Sequence, residues 1–136
     1  MKPFLILLLT AAQDDAIAAI KKLGGNVMVD AKSGEVTVFF TDTQITDAGL
    51  VHLKGLTSLT VLGLFGTQIT DAELEHLKGL NSLTYLYLNG TKLSDAGLVH
   101  LKGLNSLTYL YLTGTQVTDA GLAEIKAALP ECRVSN

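Results

Sequence analysis

A chain that repeats itself at a period of about 24 residues has few folds open to it. Residues 67–90 and 91–114 are identical at 18 of 24 positions, 43–66 carry the same pattern, and 115–129 begin it once more before diverging. A unit this short cannot bury its own apolar side chains. Stacked units share one core, so the period implies a solenoid of three full repeats and a partial fourth.

The spacing inside the unit says how each repeat folds. Leu59, Leu62, Leu64, Thr67 and Ile69 recur as Leu83, Leu86, Leu88, Thr91 and Leu93, and again as Leu107, Leu110, Leu112, Thr115 and Val117. Leucines two apart lie on one side of a strand, so Leu62 and Leu64 face the core while Val61 and Gly63 face out. After the strand, Thr70 and Glu73 form a capping box and Gly79 a helix stop. Thr46 and Ser94 take the cap position in the neighbouring units, with Gly55 and Gly103 as stops. Each repeat is therefore one short strand and one short helix.

The ends are read as caps. Asp14-Asp15 precedes a helical apolar pattern over 16–23 that Gly24-Gly25 stops. Residues 27–29 and 36–40 flank the turn 31–34 as a hairpin, and Val38 and Phe40 align with Leu62 and Leu64, so the second strand opens the solenoid sheet. Residues 13–42 form this N-terminal cap, and 43–136 hold the repeats with a C-terminal cap. There the last helix, 119–129, is stopped by Pro130, and Cys132-Arg133-Val134 adds a short strand whose Arg133 discourages further pairing. Residues 1–12 place Lys2 before the apolar run 4–9. They imitate a secretory signal but fall short of its ~15–30 residues, and of the ~20 that span a membrane. A signal-like segment would favour a secreted or cell-envelope location over the cytoplasm. The alternative is an apolar segment covering the open end of the core.

The openings of the helices resemble a known family. They read T-D-A-G-L at 46–50 and 118–122 and its serine variant at 94–98, while 70–74 depart only by Glu73. The pattern is similar to that of leucine-rich-repeat proteins, among them the ribonuclease-inhibitor-like and cysteine-containing types, and looks closest to short bacterial proteins built of the same unit. Thr43, Thr67, Thr91 and Thr115 stand where the cysteine-containing type has its Cys. The resemblance covers roughly 36–134. It implies an α/β right-handed solenoid with a parallel concave sheet and short convex helices, which binds proteins or other macromolecules on the sheet. For function this is analogy at the level of the fold.

Outward strand positions form columns about 4.8 Å apart from strand to strand. One column is Thr37, Val61, Tyr85 and Tyr109; the next is Phe39, Gly63, Tyr87 and Tyr111. All four tyrosines thus fall on one face, with Phe39 and Phe65 extending it and Asn89 and Thr113 beside the tyrosine pairs. Tyrosine offers a large apolar body, a polar tip and little rotamer entropy to lose, which suits a protein-binding surface. Tyrosine is also a favourable strand residue, and duplication copies it without selection for binding. No Lys or Arg lies on these strand faces between Thr37 and Thr113, and the formal net charge is −3, so a protein or glycan partner is expected and nucleic acid is not.

Other periodic residues have blander explanations. His52, His76 and His100 make a ladder that could bind a metal or sense pH, yet Lys54, Lys78 and Lys102 follow two residues behind them. Asp47, Asp71, Asp95 and Asp119 sit in first helical turns, where the macrodipole favours carboxylates. Cys132 is the single cysteine, expected to be a small buried apolar residue. Asn89-Gly90-Thr91 matches a glycosylation acceptor. No Ser-His-acid set or phosphate loop stands out, so no catalytic residue, cofactor or metal is assigned. The expected function is non-catalytic protein recognition. The alternatives are a spacer from a longer array without a ligand, and a metal- or pH-responsive His ladder.

Overall fold

A computed structural model describes residues 11–40, 45 and 47–136. Residues 1–10, 41–44 and 46 lie outside this range, and with them the expectations placed on the apolar run 4–9, Thr43 and Thr46. The elements in chain order are α1 (Ala11–Lys22), β1 (Asn26–Val29), β2 (Val36–Phe39), α2 (Asp47–Leu50), β3 (Leu59–Gly63), β4 (Tyr85–Tyr87), α3 (Asp95–Leu98), β5 (Tyr109–Tyr111), α4 (Asp119–Ala128) and β6 (Arg133–Ser135). The strands form one six-stranded sheet in the order β1-β2-β3-β4-β5-β6. Strand β1 is antiparallel to β2, and every later pair is parallel. Parallel neighbours follow from the repeat, because each unit crosses back through the helix layer before laying down its next strand.

Register repeats at the sequence period. Val38, Leu62, Leu86, Leu110 and Val134 pair in line, and the first four of these are buried. Leu64, Leu88 and Leu112 are buried beside them, with Phe40 at the corresponding place after the first parallel strand. The second half of each repeat closes the core from the other side with Leu50, Leu53 and Leu56, then Leu74, Leu77 and Leu80, then Leu98, Leu101 and Leu104. Threonine at the strand exit is also buried, and its hydroxyl is satisfied within its own turn: Thr67 donates to Leu64 O and Thr91 to Leu88 O, both at 2.8 Å.

The helix layer is less regular than one helix per repeat. Among the described repeat residues only α4 is a multi-turn α-helix. Single α-turns at α2 and α3 tighten into 3₁₀ segments Val51–Gly55 and Val99–Leu101, and Asp71–Leu77 is 3₁₀ throughout. So few residues cannot sustain an α-helix by themselves, and short 3₁₀ pieces serve where packing of the leucines holds the segment.

At the N-terminal end α1 runs through Asp14 and Asp15 instead of starting after them. Its apolar side packs Ala16 and Ile20 into the core, and Gln13 donates through Nε2 to Thr57 Oγ1 at 3.0 Å. It ends as expected: Gly24 adopts φ 94°, Gly24 N donates to Lys21 O at 3.1 Å and Gly25 N to Ile20 O at 3.0 Å. That pair of bonds is the Schellman closure of a helix. The β1–β2 turn is held by Asp30, whose Oδ1 accepts from Lys32 N at 2.7 Å and Ser33 N at 3.0 Å. The bond from Ser33 N foremost, then that from Lys32 N, holds the Asp30 carboxyl below its ordinary pKa.

The repeated aspartates do more than complement a helix dipole. Asp71 Oδ1 accepts from Ser94 N at 2.7 Å while Oδ2 takes the Ser94 hydroxyl, so the carboxylate of one repeat caps the helix of the next. Asp95 does the same to Thr118, accepting from N at 2.8 Å and from Oγ1 at 2.5 Å. The Thr118 hydroxyl and then its N–H hold the Asp95 carboxyl below its ordinary pKa.

This staple accounts for the motif glycine at 97 and 121. A Cβ on Gly97 would lie 2.5 Å from Asp71 Oδ1, and one on Gly121 would lie 2.1 Å from Asp95 Oδ1. Where Glu73 replaces that glycine, the cap is built from within the repeat. Thr70 N donates to Glu73 Oε2 at 3.2 Å and Thr70 Oγ1 donates to the same oxygen at 2.5 Å. The departure from the motif is thus a second solution to one capping problem.

A pH dependence follows with a definite sign. Because the folded pKa of Asp95 is depressed, its staple contributes stability above the unfolded carboxylate pKa of about 3.9 and loses it as pH falls through the lower folded value. Asp95→Asn should therefore lower Tm at neutral pH, and the gap from the parent should close in acid. Thermal melts from roughly pH 2 to roughly pH 7 span that window. A gap that stayed constant across it would contradict the staple.

Candidate functional site

Alternation along the strands decides what the sheet shows to solvent. Strand pairs Thr37–Val61, Val61–Tyr85 and Tyr85–Tyr109 are in register, as are Phe39–Gly63, Gly63–Tyr87 and Tyr87–Tyr111. Both expected columns therefore exist. They also run further in each direction. Antiparallel pairing adds Met28 beside Thr37 and Asn26 beside Phe39, and β6 adds Arg133 beside Tyr109 and Ser135 beside Tyr111.

Side-chain geometry brings the aromatic residues into one connected group. Tyr85 and Tyr109 stack with centroids 5.0 Å apart and planes 17° from parallel, and Tyr87 and Tyr111 stack at 4.7 Å and 2°. Tyr109 and Tyr111 join the two stacks at 6.2 Å. Phe39 and Phe65 stack at 5.9 Å, and each reaches Tyr87, at 6.0 and 5.6 Å. Gly63 permits this junction, because a Cβ there would sit 2.2 Å from a ring carbon of Phe39. Without the glycine the Phe39 ring could not lie across the second column.

The Arg133 guanidinium carbon lies 5.8 Å from the Tyr109 centroid, within cation–π reach, and closes the outer end of the Tyr85–Tyr109 stack. In the sequence Arg133 reads as an edge charge, outside the site. The signal for its membership is its position one repeat period after Tyr109.

The remaining expected residues fall around this group. Val61 is half-buried in the first column, Asn89 is half-buried and Thr113 exposed. Asn89 Oδ1 is buried and has no hydrogen-bond partner among the described residues. Tyr87 is the tyrosine whose ionisation is pushed up, first by burial and then by the neighbouring Tyr111 and Tyr85.

Because the tyrosine rings lie face to face in pairs, each has one face occupied by its partner. Ring edges and phenol hydroxyls are left free by this pairing. Such a surface donates hydrogen bonds and offers polarised C–H edges to carbonyl and carboxylate oxygens.

The other ladders do not assemble in the same way. Among the described residues no three His, Cys, Asp or Glu side chains stand together as metal ligands, so His52, His76 and His100 form no three-ligand site. Nδ1 of His76 and of His100 is buried without a hydrogen-bond partner among the described residues. Cys132 is buried as expected, and burial pushes its thiol pKa up. Thr91 of the glycosylation-like triplet is buried, with its hydroxyl already donated to Leu88 O. No helix among the described residues is long and apolar enough to cross a membrane.

Comparison with known proteins agrees with this architecture. The family model described as leucine rich repeat matches residues 57–117. Among solved structures the chain is similar to a leucine-rich-repeat protein of Leptospira interrogans, with 19% identity, 69% of this chain covered and a TM-score of 0.52. It spans only 22% of that protein. It is also similar to actin-binding site 2 of leiomodin-1, with 20% identity, a TM-score of 0.61, and 93% of this chain and 79% of the other covered. At these identities the likeness is one of fold. No curated protein matches the sequence. With the repeat period, the parallel leucine-lined sheet and the matching family model in agreement, residues 57–117 are leucine-rich repeats and the chain has the fold they build.

Proposed function

We propose that this chain is a non-catalytic protein-recognition module that binds through the solvent face of its sheet, the concave side of a right-handed solenoid, centred on Tyr85, Tyr87, Tyr109 and Tyr111. Phe39, Phe65, Val61, Asn89 and Thr113 border the contact. Residues 13–42 act as the N-terminal cap of the core, and 43–136 carry the repeats that display the face.

The observation that carries this reading is the connected aromatic group itself, six rings joined by centroid distances of 4.7–6.2 Å on one side of the sheet. Rigid tyrosines held by neighbours lose little entropy when a partner docks.

The test is replacement of all four tyrosines by Ser. The variant should lose capture of partner proteins from an extract of the native cell while keeping its far-ultraviolet circular dichroism. Unchanged capture would place the binding site elsewhere.

A further inference from the structure

The aromatic face is charged at its two ends and uncharged between them. Its first column runs Met28, Thr37, Val61, Tyr85, Tyr109, Arg133. At one end stands the exposed guanidinium of Arg133. At the other, Met28 and Val61 wall a depression of about 420 Å³ whose lining also includes Val29 and the acidic residues Asp30 and Glu35. Met28 is 63% exposed there, apolar surface that nothing covers among the described residues.

We propose that the face binds a second copy of this chain, turned about a two-fold axis parallel to the strands. This rests on the sheet face being a protein-binding surface and names its partner. Turned this way, strand order runs oppositely in the two copies. Arg133 of each copy then meets the depression beside Met28 of the other, Tyr109 meets Thr37, and Tyr85 meets Val61. In this column large side chains fall on small ones and opposite charges meet at both ends; in the next, Tyr87 meets Gly63 and Phe39 meets Tyr111.

The symmetry is what favours a second copy over an unrelated protein. A two-fold interface is self-complementary, so one Arg133–acid match generates the other. An unrelated partner would have to present a carboxylate at one end and a cation at the other, at the same separation. The depression also suits arginine specifically. Its aliphatic stem covers Met28 while the planar guanidinium reaches a carboxylate.

Of the two acids, Glu35 is the available one. It makes no ion pair among the described residues. Asp30 commits Oδ1 to the turn backbone, and its charge is offset by Lys32 in the same turn.

Sedimentation equilibrium of the whole chain tests this. The parent should show a monomer–dimer equilibrium. Arg133→Glu and Glu35→Arg should each weaken it by about tenfold or more, because each places like charges at both ends. Mixed in equal amounts, the two variants should regain association as a heterodimer, since each reversed charge then faces its complement. Tyr85→Ser should weaken the dimer without altering charge.

A parent chain that stays monomeric up to its solubility limit overturns the proposal. So does a dimer indifferent to both reversals, or a mixture that fails to associate better than either variant alone. The broader reading has a separate fate. A monomeric parent whose four-serine variant loses capture of another protein rejects the second copy and leaves the binding face standing.

Discussion

Leu86→Ala should lower the free energy of unfolding by about 2–5 kcal/mol, the range for removing a fully buried leucine from a packed core. Leu86 has no solvent exposure and sits between Leu62 and Leu110 in register, in the middle of the sheet. Its environment is leucine on both sides, so little can relax into the space its side chain leaves. Against a typical total stability of about 5–15 kcal/mol the loss is large. In a solenoid it also severs the core midway, because each unit contacts only its neighbours. Urea denaturation should show a lower midpoint, and a second transition would mean that the two halves unfold separately. A loss below about 1 kcal/mol would contradict a single core shared by the repeats. Leu86→Met, which keeps the volume, should cost less than about 1.5 kcal/mol.

The next largest effect is expected at a position that carries no side chain. Gly97→Ala should destabilise by about 1–3 kcal/mol, the range for forcing extra atoms into a packed site. The new Cβ would stand 2.4 Å from Leu93 Cδ1, 2.5 Å from Asp71 Oδ1 and 3.0 Å from Leu74 Cδ1. Two of these neighbours belong to the core, and the third is the carboxylate that caps the following helix, so room can be made only by breaking the staple. Gly103→Ala is the control within the same repeat. Nothing lies within 4 Å of its added Cβ and its φ is not positive, so it should be neutral or gain up to about 1 kcal/mol through the unfolded chain. Chemical denaturation of the two variants side by side gives the answer. Equal effects would mean that the Asp–Gly approach has no energetic weight.

These two sites show what kind of information the sequence holds. Leu86 is legible as core from spacing alone, because leucines two apart in a repeated frame must face the same side of a strand. Gly97 is legible only as part of a motif. Its reason is a contact with Asp71, which belongs to the preceding repeat. Glu73 departs from the motif, yet its spacing from Thr70 already marks it as a capping partner, and the fold bears that out.

The candidate site divides in the same way. That the four tyrosines share a face follows from alternation and period. That they stack in pairs, that Phe39 crosses Gly63 to join them, and that Arg133 closes one stack depends on rotamers and on register at the sheet margin.

The repeat period, by itself, determined the unit, its leucine-lined strand and the parallel stacking, because an apolar face that cannot be buried alone must be buried against a copy of itself. Tertiary structure decided the rest: the shortening of helices into 3₁₀ turns, the aspartate staples between repeats, and the extension of each column to Met28 or Asn26 at one end and Arg133 or Ser135 at the other. These depend on the distance and orientation between neighbouring units, quantities that a one-dimensional pattern implies only after the units have packed.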